Sequence, residues 1–403
     1  MISNDQKINK FDRYLFILIA TLATGGIGGY LQVTRVLAVL FLPALLSQKS
    51  QCRYYTNNLF NCIVAFCVFA TFSLLWSEAR YEGFKFVLYF YIHFILFAEI
   101  VVFARFANNP LKTISWAWVT FICLCSVVSI WEIYTDIHLA MSRDSSDLTR
   151  NIGDGILLHQ RFTSVTFFNF NNYVTVLCYA LPWVFYRLAE TTKTMQKLVC
   201  LYAILCSFIF IMYNASRGGA LVLAIYAIIY LIFTPNSKGK YISVILFLAV
   251  IIFYIMQADS SLFTLILSRS ASVTDYHDES RISIWMVAIE AILQTFGLGV
   301  GAGGAILAME RINPGGINIP HNIILEIAIQ YGIVFAIIFV IYVYRQLVKT
   351  LFIKDKYIRM SLIMAFCGMP VYFIINSSYL QVTTLYPFMA TMFILVNYNK
   401  IKQ

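Results

Sequence analysis

The chain has 403 residues, 60% hydrophobic and only 12% charged. Soluble globular proteins carry about 25% charged residues, so this composition excludes a water-soluble fold and points to an all-α polytopic integral membrane protein. The net charge of +10 does not make it a nucleic-acid binder, because the basic excess falls in short loops between apolar runs.

In chain order, apolar runs of span length fall at 14–31, 33–48, 59–77, 84–106, 113–135, 167–187, 197–213, 217–234, 240–257, 321–343, 357–375 and 380–398. About twelve transmembrane helices are therefore expected, in one transmembrane domain covering 1–403. The first two runs lie so close, around "GGIGGY", that they also read as one hairpin. Placing the N-terminus in the cytoplasm puts Arg105, Lys112, Arg187, Lys193, Lys197, Arg345, Lys354 and Arg359 inside. The same placement puts Glu78, Glu82, Asp136, Asp278, Glu279 and Glu310 outside. The asymmetry recurs loop by loop, so both termini are expected inside. The N-terminus is polar and charged and has no small-residue cleavage site, so the first span is not read as a removable signal peptide.

Two outer segments are long, 136–166 and 258–320, and loops of such length usually carry function. The second contains "RISIWMVAIEAILQTFG", an amphipathic helical pattern too short and too charged to span. The glycine-rich "GLGVGAGGA" follows. Eight of the nine cysteines lie inside apolar runs and read as small buried hydrophobes, with no disulfide or metal spacing. No helical histidine pair, acidic metal cluster, Walker loop or serine elbow appears, so no metal and no cofactor is expected.

Ionisable residues in or beside spans are costly and become functional candidates. Arg217, in "NASRGGALVLAI", reads as an anion site at a helix N-terminus or as a side chain snorkelling to headgroups, with Ser216 beside it. Arg281 opens the amphipathic helix and reads as an anion contact or as a surface pair with Asp278 or Glu279. His321 begins the tenth run, with Asn322, Glu326 and Gln330 recurring every fourth residue in one stripe facing the bundle. His321 is either a proton acceptor or a helix cap, and the stripe either serves it or glues helices. Arg161 closes the first long loop. Asn169, Asn171 and Asn172 open the sixth run, to cap it or to bind a polyhydroxylated ligand. Arg35 reads as a second phosphate contact or as a snorkelling residue. Glu99, deep in its span, is expected to pair within the bundle. Glu132 and "INSSYL" receive no role.

The order "NASRGGALVLAI", "ESRISIWMVAIEAI", "FGLGVGAGG", "PHNIILEIAIQYG" resembles the O-antigen ligase and Wzy-type polymerase superfamily over about 205–340. "FTSVTFFNFNNYVTVL" partly resembles a polymerase segment written Gly-x-Phe-x-Asn-Pro-Asn, with the glycine and proline replaced. "INSSYLQVTTLYPFMA" resembles the tail of capsule and exopolysaccharide polymerases. The resemblance implies a GT-C-type inner-membrane glycosyltransferase, working at the periplasmic face without a metal. It implies an undecaprenyl-pyrophosphate-linked donor and two arginines with a histidine as catalytic residues. Carried onto this chain, these are Arg217, Arg281 and His321. Arg161, Asn169, Asn172, Ser216, Asn322, Glu326 and Arg35 would bind substrate. The acceptor would be a second lipid-linked glycan for an inverting polymerase, or lipid A-core for a ligase, with a chain-length regulator protein as a further partner. A lipid-linked glycan flippase or another transporter is the rival of a different class, and nucleic acid is not a partner.

Overall fold

The computed structural model describes residues 9–48, 57–141, 149–151, 157–159, 162–214, 216–234, 281–376 and 378–401. The ninth apolar run at 240–257, the first part of the second outer segment at 258–280, and Arg161 lie outside the described residues.

The helices in chain order are α1 (Lys10–Ala20), α2 (Val33–Leu46), α3 (Asn57–Phe72), α4 (Arg80–Phe106), α5 (Pro110–Thr135), α6 (Phe170–Glu190), α7 (Thr194–Tyr213) and α8 (Arg217–Phe233). They continue as α9 (Arg281–Gln294), α10 (Ala305–Ile312), α11 (Ile323–Tyr331), α12 (Ile333–Leu351), α13 (Lys356–Ile375), α14 (Leu385–Val396) and α15 (Tyr398–Ile401). One small antiparallel pair joins β1 (Thr149–Asn151) to β2 (Leu157–His159). Short polar residues set the starts: Asn9, Asn169, Ser216, Asn322 and Asp355 each accept a backbone N–H from the first turn of their helix.

Five helices among the described residues are long and apolar enough to cross a membrane: α4, α5, α7, α12 and α13. Shorter apolar helices lie at Val33–Leu46, Phe60–Leu75, Arg217–Phe233 and Leu385–Val396. The protein is therefore a multi-pass helical membrane protein, with fewer full-length spans among these residues than the expected twelve. The interior packs α8 and α6 on α13, α1 on α5 and α4, and α14 on α4. Trp118, Trp183, Tyr173, Tyr179, Tyr226 and Tyr372 are fully enclosed. The outer surface is apolar, as at Val334, Ile337, Ile338 and Ile341 of α12, which suits a lipid environment.

Two of the expected spans have a different shape. The first does not run to residue 31: α1 ends at Ala20, and a 3-10 turn carries the chain to Thr24. Gly25 and Gly28 then take positive φ, and the Gly26 N–H donates to the Thr166 carbonyl at 2.6 Å. Thr34 returns to Thr21 at 3.4 Å, so the first two runs form a hairpin. The tenth breaks at Gly332, whose φ is 92°, between α11 and α12. The break is filled by the glycine-rich stretch. Val300 N–H donates to Ile329 O at 2.8 Å, Gly301 N–H to Gln330 O at 3.0 Å, and Ile333 N–H to Gly297 O at 2.9 Å. A Cβ at Gly299 would lie 2.6 Å from the Gly332 nitrogen, so only glycine allows this approach. The same stretch reaches the loop between α3 and α4: Ser77 Oγ donates to Ala302 O at 2.7 Å, and Trp76 Nε1 to Gly299 O at 3.2 Å.

The two ends of the bundle are chemically distinct. At one end the buried Asp12 carboxylate accepts from Asn108 N–H, Asn109 N–H and Thr113 Oγ1, joining α1 to the α4–α5 turn among basic residues. The other end carries the 162–166 turn, the 295–322 segment and the reversal after α13.

Candidate functional site

The site begins where α7 passes into α8. The Asn214 side chain clasps the backbone of Thr163: Oδ1 accepts its N–H at 2.8 Å, and Nδ2 donates to its carbonyl at 2.9 Å. Ser216 caps α8, its hydroxyl accepting the Gly219 N–H at 3.3 Å. Ser216, expected to contact substrate, is thus a helix cap in this structure. Arg217 follows, exposed in the first helical turn, where free N–H groups and the helix dipole favour anions. A Cβ at Gly218 would lie 2.7 Å from Ile375 of α13, and one at Gly219 2.6 Å from Val174 of α6. The two glycines thus let the start of α8 lie directly against α6 and the end of α13.

The end of α13 is also where the two other expected residues arrive. The Arg281 Nη1 donates to the Ile374 carbonyl at 2.5 Å, a cation at a helix C-terminus, which the helix dipole favours. His321 Nδ1 lies 3.2 Å from the Asn376 carbonyl. A carbonyl can only accept, so Nδ1 carries the proton and Nε2 keeps its lone pair. Arg281 and His321 therefore both reach the end of α13, at Ile374 and Asn376, and Gly218, the residue after Arg217, packs on Ile375 between them, although the three positions are far apart in sequence. His321 adopts φ 47°, the left-handed region that non-glycine residues seldom occupy. Burial lowers its pKa from the ordinary histidine value. The Asn376 carbonyl opposes that shift, and the Arg281 charge reinforces it. The imidazole is therefore neutral at pH 7 and able to accept a proton.

The stripe behind His321 does face inward, but each member has its own anchor. Asn322 caps α11, accepting from Ile324 N–H at 2.9 Å and Leu325 N–H at 3.3 Å. Gln330 Oε1 accepts the Gly303 N–H at 3.1 Å. Glu326 is buried, and its carboxylate accepts the N–H groups of Tyr379 at 2.9 Å and Leu380 at 3.2 Å. Asn322 and Glu326 thus bind backbone beside His321, and among the described residues Glu326 makes no hydrogen bond to it.

Arg35 is neither a snorkelling residue nor an exposed phosphate contact. It is buried, with Nε 3.1 Å from His93 Nε2 and 3.2 Å from Thr383 Oγ1, and Nη2 donating to Gln381 O at 3.1 Å. Its guanidinium lies over the Tyr89 ring at 4.0 Å. It clamps the reversal at 381–383 from below. Asn169 caps α6, accepting the Asn171 N–H at 2.8 Å, and Asn172 sits half-buried in the first turn. Glu99 is fully buried, and neither oxygen has a hydrogen-bond partner among the described residues, contrary to the expected pairing.

Glu132 is the element that sequence reasoning left without a role. Its Oε2 accepts from Thr163 Oγ1 at 2.6 Å, Ser164 N–H at 3.0 Å and Val165 N–H at 2.9 Å. Its Oε1 lies 3.3 Å from His138 Nδ1, and that ring stacks on Phe162 at 4.1 Å. An acid closing an apolar run, with a turn-forming segment some thirty residues on, was the available signal. Asn376 and Tyr379 were visible only as polar residues near a span end.

Residues 202–340, the stretch holding Arg217, Arg281 and His321, match the family model described as Wzy_C: O-Antigen ligase. No curated protein matches the chain.

Proposed function

We propose, on the match of residues 202–340 to the O-antigen ligase family model, that this membrane protein is a transferase polymerising undecaprenyl-pyrophosphate-linked repeat units of a surface polysaccharide. The observation that carries this reading is the convergence of Arg281 and His321 on the end of α13, where the start of α8 that bears Arg217 also packs. The acceptor hydroxyl gives its proton to His321 Nε2 as its oxygen attacks the anomeric carbon of the donor. The bond from that carbon to the pyrophosphate oxygen breaks, its electron pair stays on that oxygen, and the centre inverts. Arg217 and Arg281 meet the charge that develops there, and a guanidinium suits phosphate oxygens geometrically. Arg281 has five N–H donors, so its bond to Ile374 leaves others for the leaving group. The active end would face the periplasm of a bacterial inner membrane, with both termini cytoplasmic.

The polymerase-like segments, Phe162–Leu177 and Ile375–Ala390, support polymerisation over ligation: both begin at the end that holds the three residues. The second reading is ligation to lipid A-core, favoured by the description of the matching family. Purified protein in liposomes with a lipid-linked repeat unit decides between them. A mass ladder of longer products is expected. Transfer only to added lipid A-core makes it a ligase, and movement of substrate without any new glycosidic bond makes it a transporter. Arg217→Ala and His321→Ala are each expected to lower kcat/KM by about 100-fold or more; retained turnover in both overturns the assignment of roles.

A further inference from the structure

We propose that Trp285 is a positioning residue for His321, so that helix α9 fixes the imidazole and the Arg281 guanidinium relative to one another. This rests on the transferase reading above. Trp285 lies four residues after Arg281, one turn further along the same face of α9. Ile284, Ala288, Ala291 and Ile292 seat α9 in the protein, where it packs on α10 and α11. The Trp285 indole N–H, a donor only, donates to the Pro320 carbonyl at 3.0 Å. Pro320 is the residue before His321.

His321 needs such support because φ 47° persists in a non-glycine residue only where its surroundings impose it. Two bonds impose it from opposite sides: Trp285 on the peptide entering His321, and the Asn376 carbonyl on its ring. Arg281 holds Ile374 two residues before Asn376. The contacts therefore close a circuit from α9 to Pro320, to His321, to the end of α13, and back to α9. One rigid helix sets both the proton acceptor and one of the two cations. Of the charged and titratable groups around this segment, Arg281 comes from α9, Glu326 from α11 and Tyr379 from the turn after α13, and Arg281 is the one that bears on His321.

The test compares Trp285→Phe with benzothienylalanine at 285, which keeps the indole shape and replaces the N–H by sulfur. Both are assayed in liposomes with the lipid-linked repeat unit, beside His321→Ala and the His321→Ala/Trp285→Phe double variant. In the benzothienylalanine protein kcat is expected to fall about 10- to 100-fold with KM within about twofold, because the loss is of alignment and not of binding. The acid limb of kcat/KM is expected to move to higher pH, as an imidazole released from its buried seat regains ordinary proton affinity. The double variant is expected to lose no more than His321→Ala alone. An unchanged kcat and acid limb in the benzothienylalanine protein overturns the proposal and leaves Trp285 a packing residue. Full turnover in His321→Ala defeats the transferase roles themselves, whatever the 285 variants do.

Discussion

The turn at 162–166 and the reversal after α13 are built alike and behave differently. Both interrupt the α-helices at the same end of a membrane bundle, where unpaired backbone groups are costly. Each is held by a buried carboxylate that accepts two successive backbone N–H groups: Glu132 from Ser164 and Val165, Glu326 from Tyr379 and Leu380. Glu132 also takes the Thr163 hydroxyl and faces His138, and its turn holds Val165 at φ 56°, a strained conformation for a β-branched residue. Among the described residues Glu326 takes no hydroxyl and faces no histidine, its segment likewise holds a residue at φ 56°, Ser378, and that segment adjoins the carbonyls that orient Arg281 and His321. The first carboxylate is mainly a fold element. The second is a fold element on which the proposed chemistry depends.

Removing each acid separates the two roles. Glu132→Ala strands four donors at once, and the expected loss of stability is the largest here, about 3–5 kcal/mol, read as a lower unfolding midpoint in detergent. Activity per folded molecule is expected to change little. Glu326→Gln keeps the shape and one acceptor oxygen, so the expected stability loss is smaller, about 1–3 kcal/mol. Its kcat is nevertheless expected to fall by about tenfold or more, because Asn376 and its bond to His321 shift. If Glu132→Ala impaired turnover per folded protein more than Glu326→Gln, the division of roles would be wrong. Glu99 provides the control for burial without partners. Glu99→Met is expected to raise the unfolding midpoint by the equivalent of about 1–2 kcal/mol, because an unsatisfied buried group is replaced by an apolar one of similar shape.

The same contrast explains what the sequence made legible. Apolar length revealed the helices, and the serial order of Ser-Arg-Gly, Arg-x-x-x-Trp and His-Asn singled out Arg217, Arg281 and His321. These signals are local or lie in one dimension. Arg35 and Glu326 were misread because their partners are distant in the chain. Arg35 looked like a snorkelling residue because His93 and Thr383, which bury it, are 58 and 348 positions away. Glu326 looked like a helper of His321 because they share a helical segment, while its partners are 53 and 54 positions away. The break at Gly332 was hidden because the glycine-rich stretch that fills it has no apolar periodicity to announce where it docks. Ser216, Asn169 and Asn322 stood out as polar residues beside apolar runs, and each accepts a backbone N–H at the start of its own helix.

The smallest expected effect comes from a third carboxylate at this end, which is exposed. Glu78 and Arg311 make a two-pronged ion pair between the α3–α4 loop and α10, with both side chains more than half exposed. The Arg311 hydrogen bonds hold the Glu78 carboxyl below its ordinary pKa. A lowered carboxyl pKa contributes stability above the unfolded value and loses it as pH falls through the folded value. Water and salt screen such a pair, so Glu78→Gln is expected to leave the unfolding midpoint unchanged at neutral pH and physiological salt. A difference from the parent protein is expected only at low ionic strength, and it should vanish on acidification through the carboxyl range. A large loss at physiological salt would mean that Glu78 anchors α10 as Glu132 and Glu326 anchor their own segments, and that burial is not what distinguishes the anchoring carboxylates.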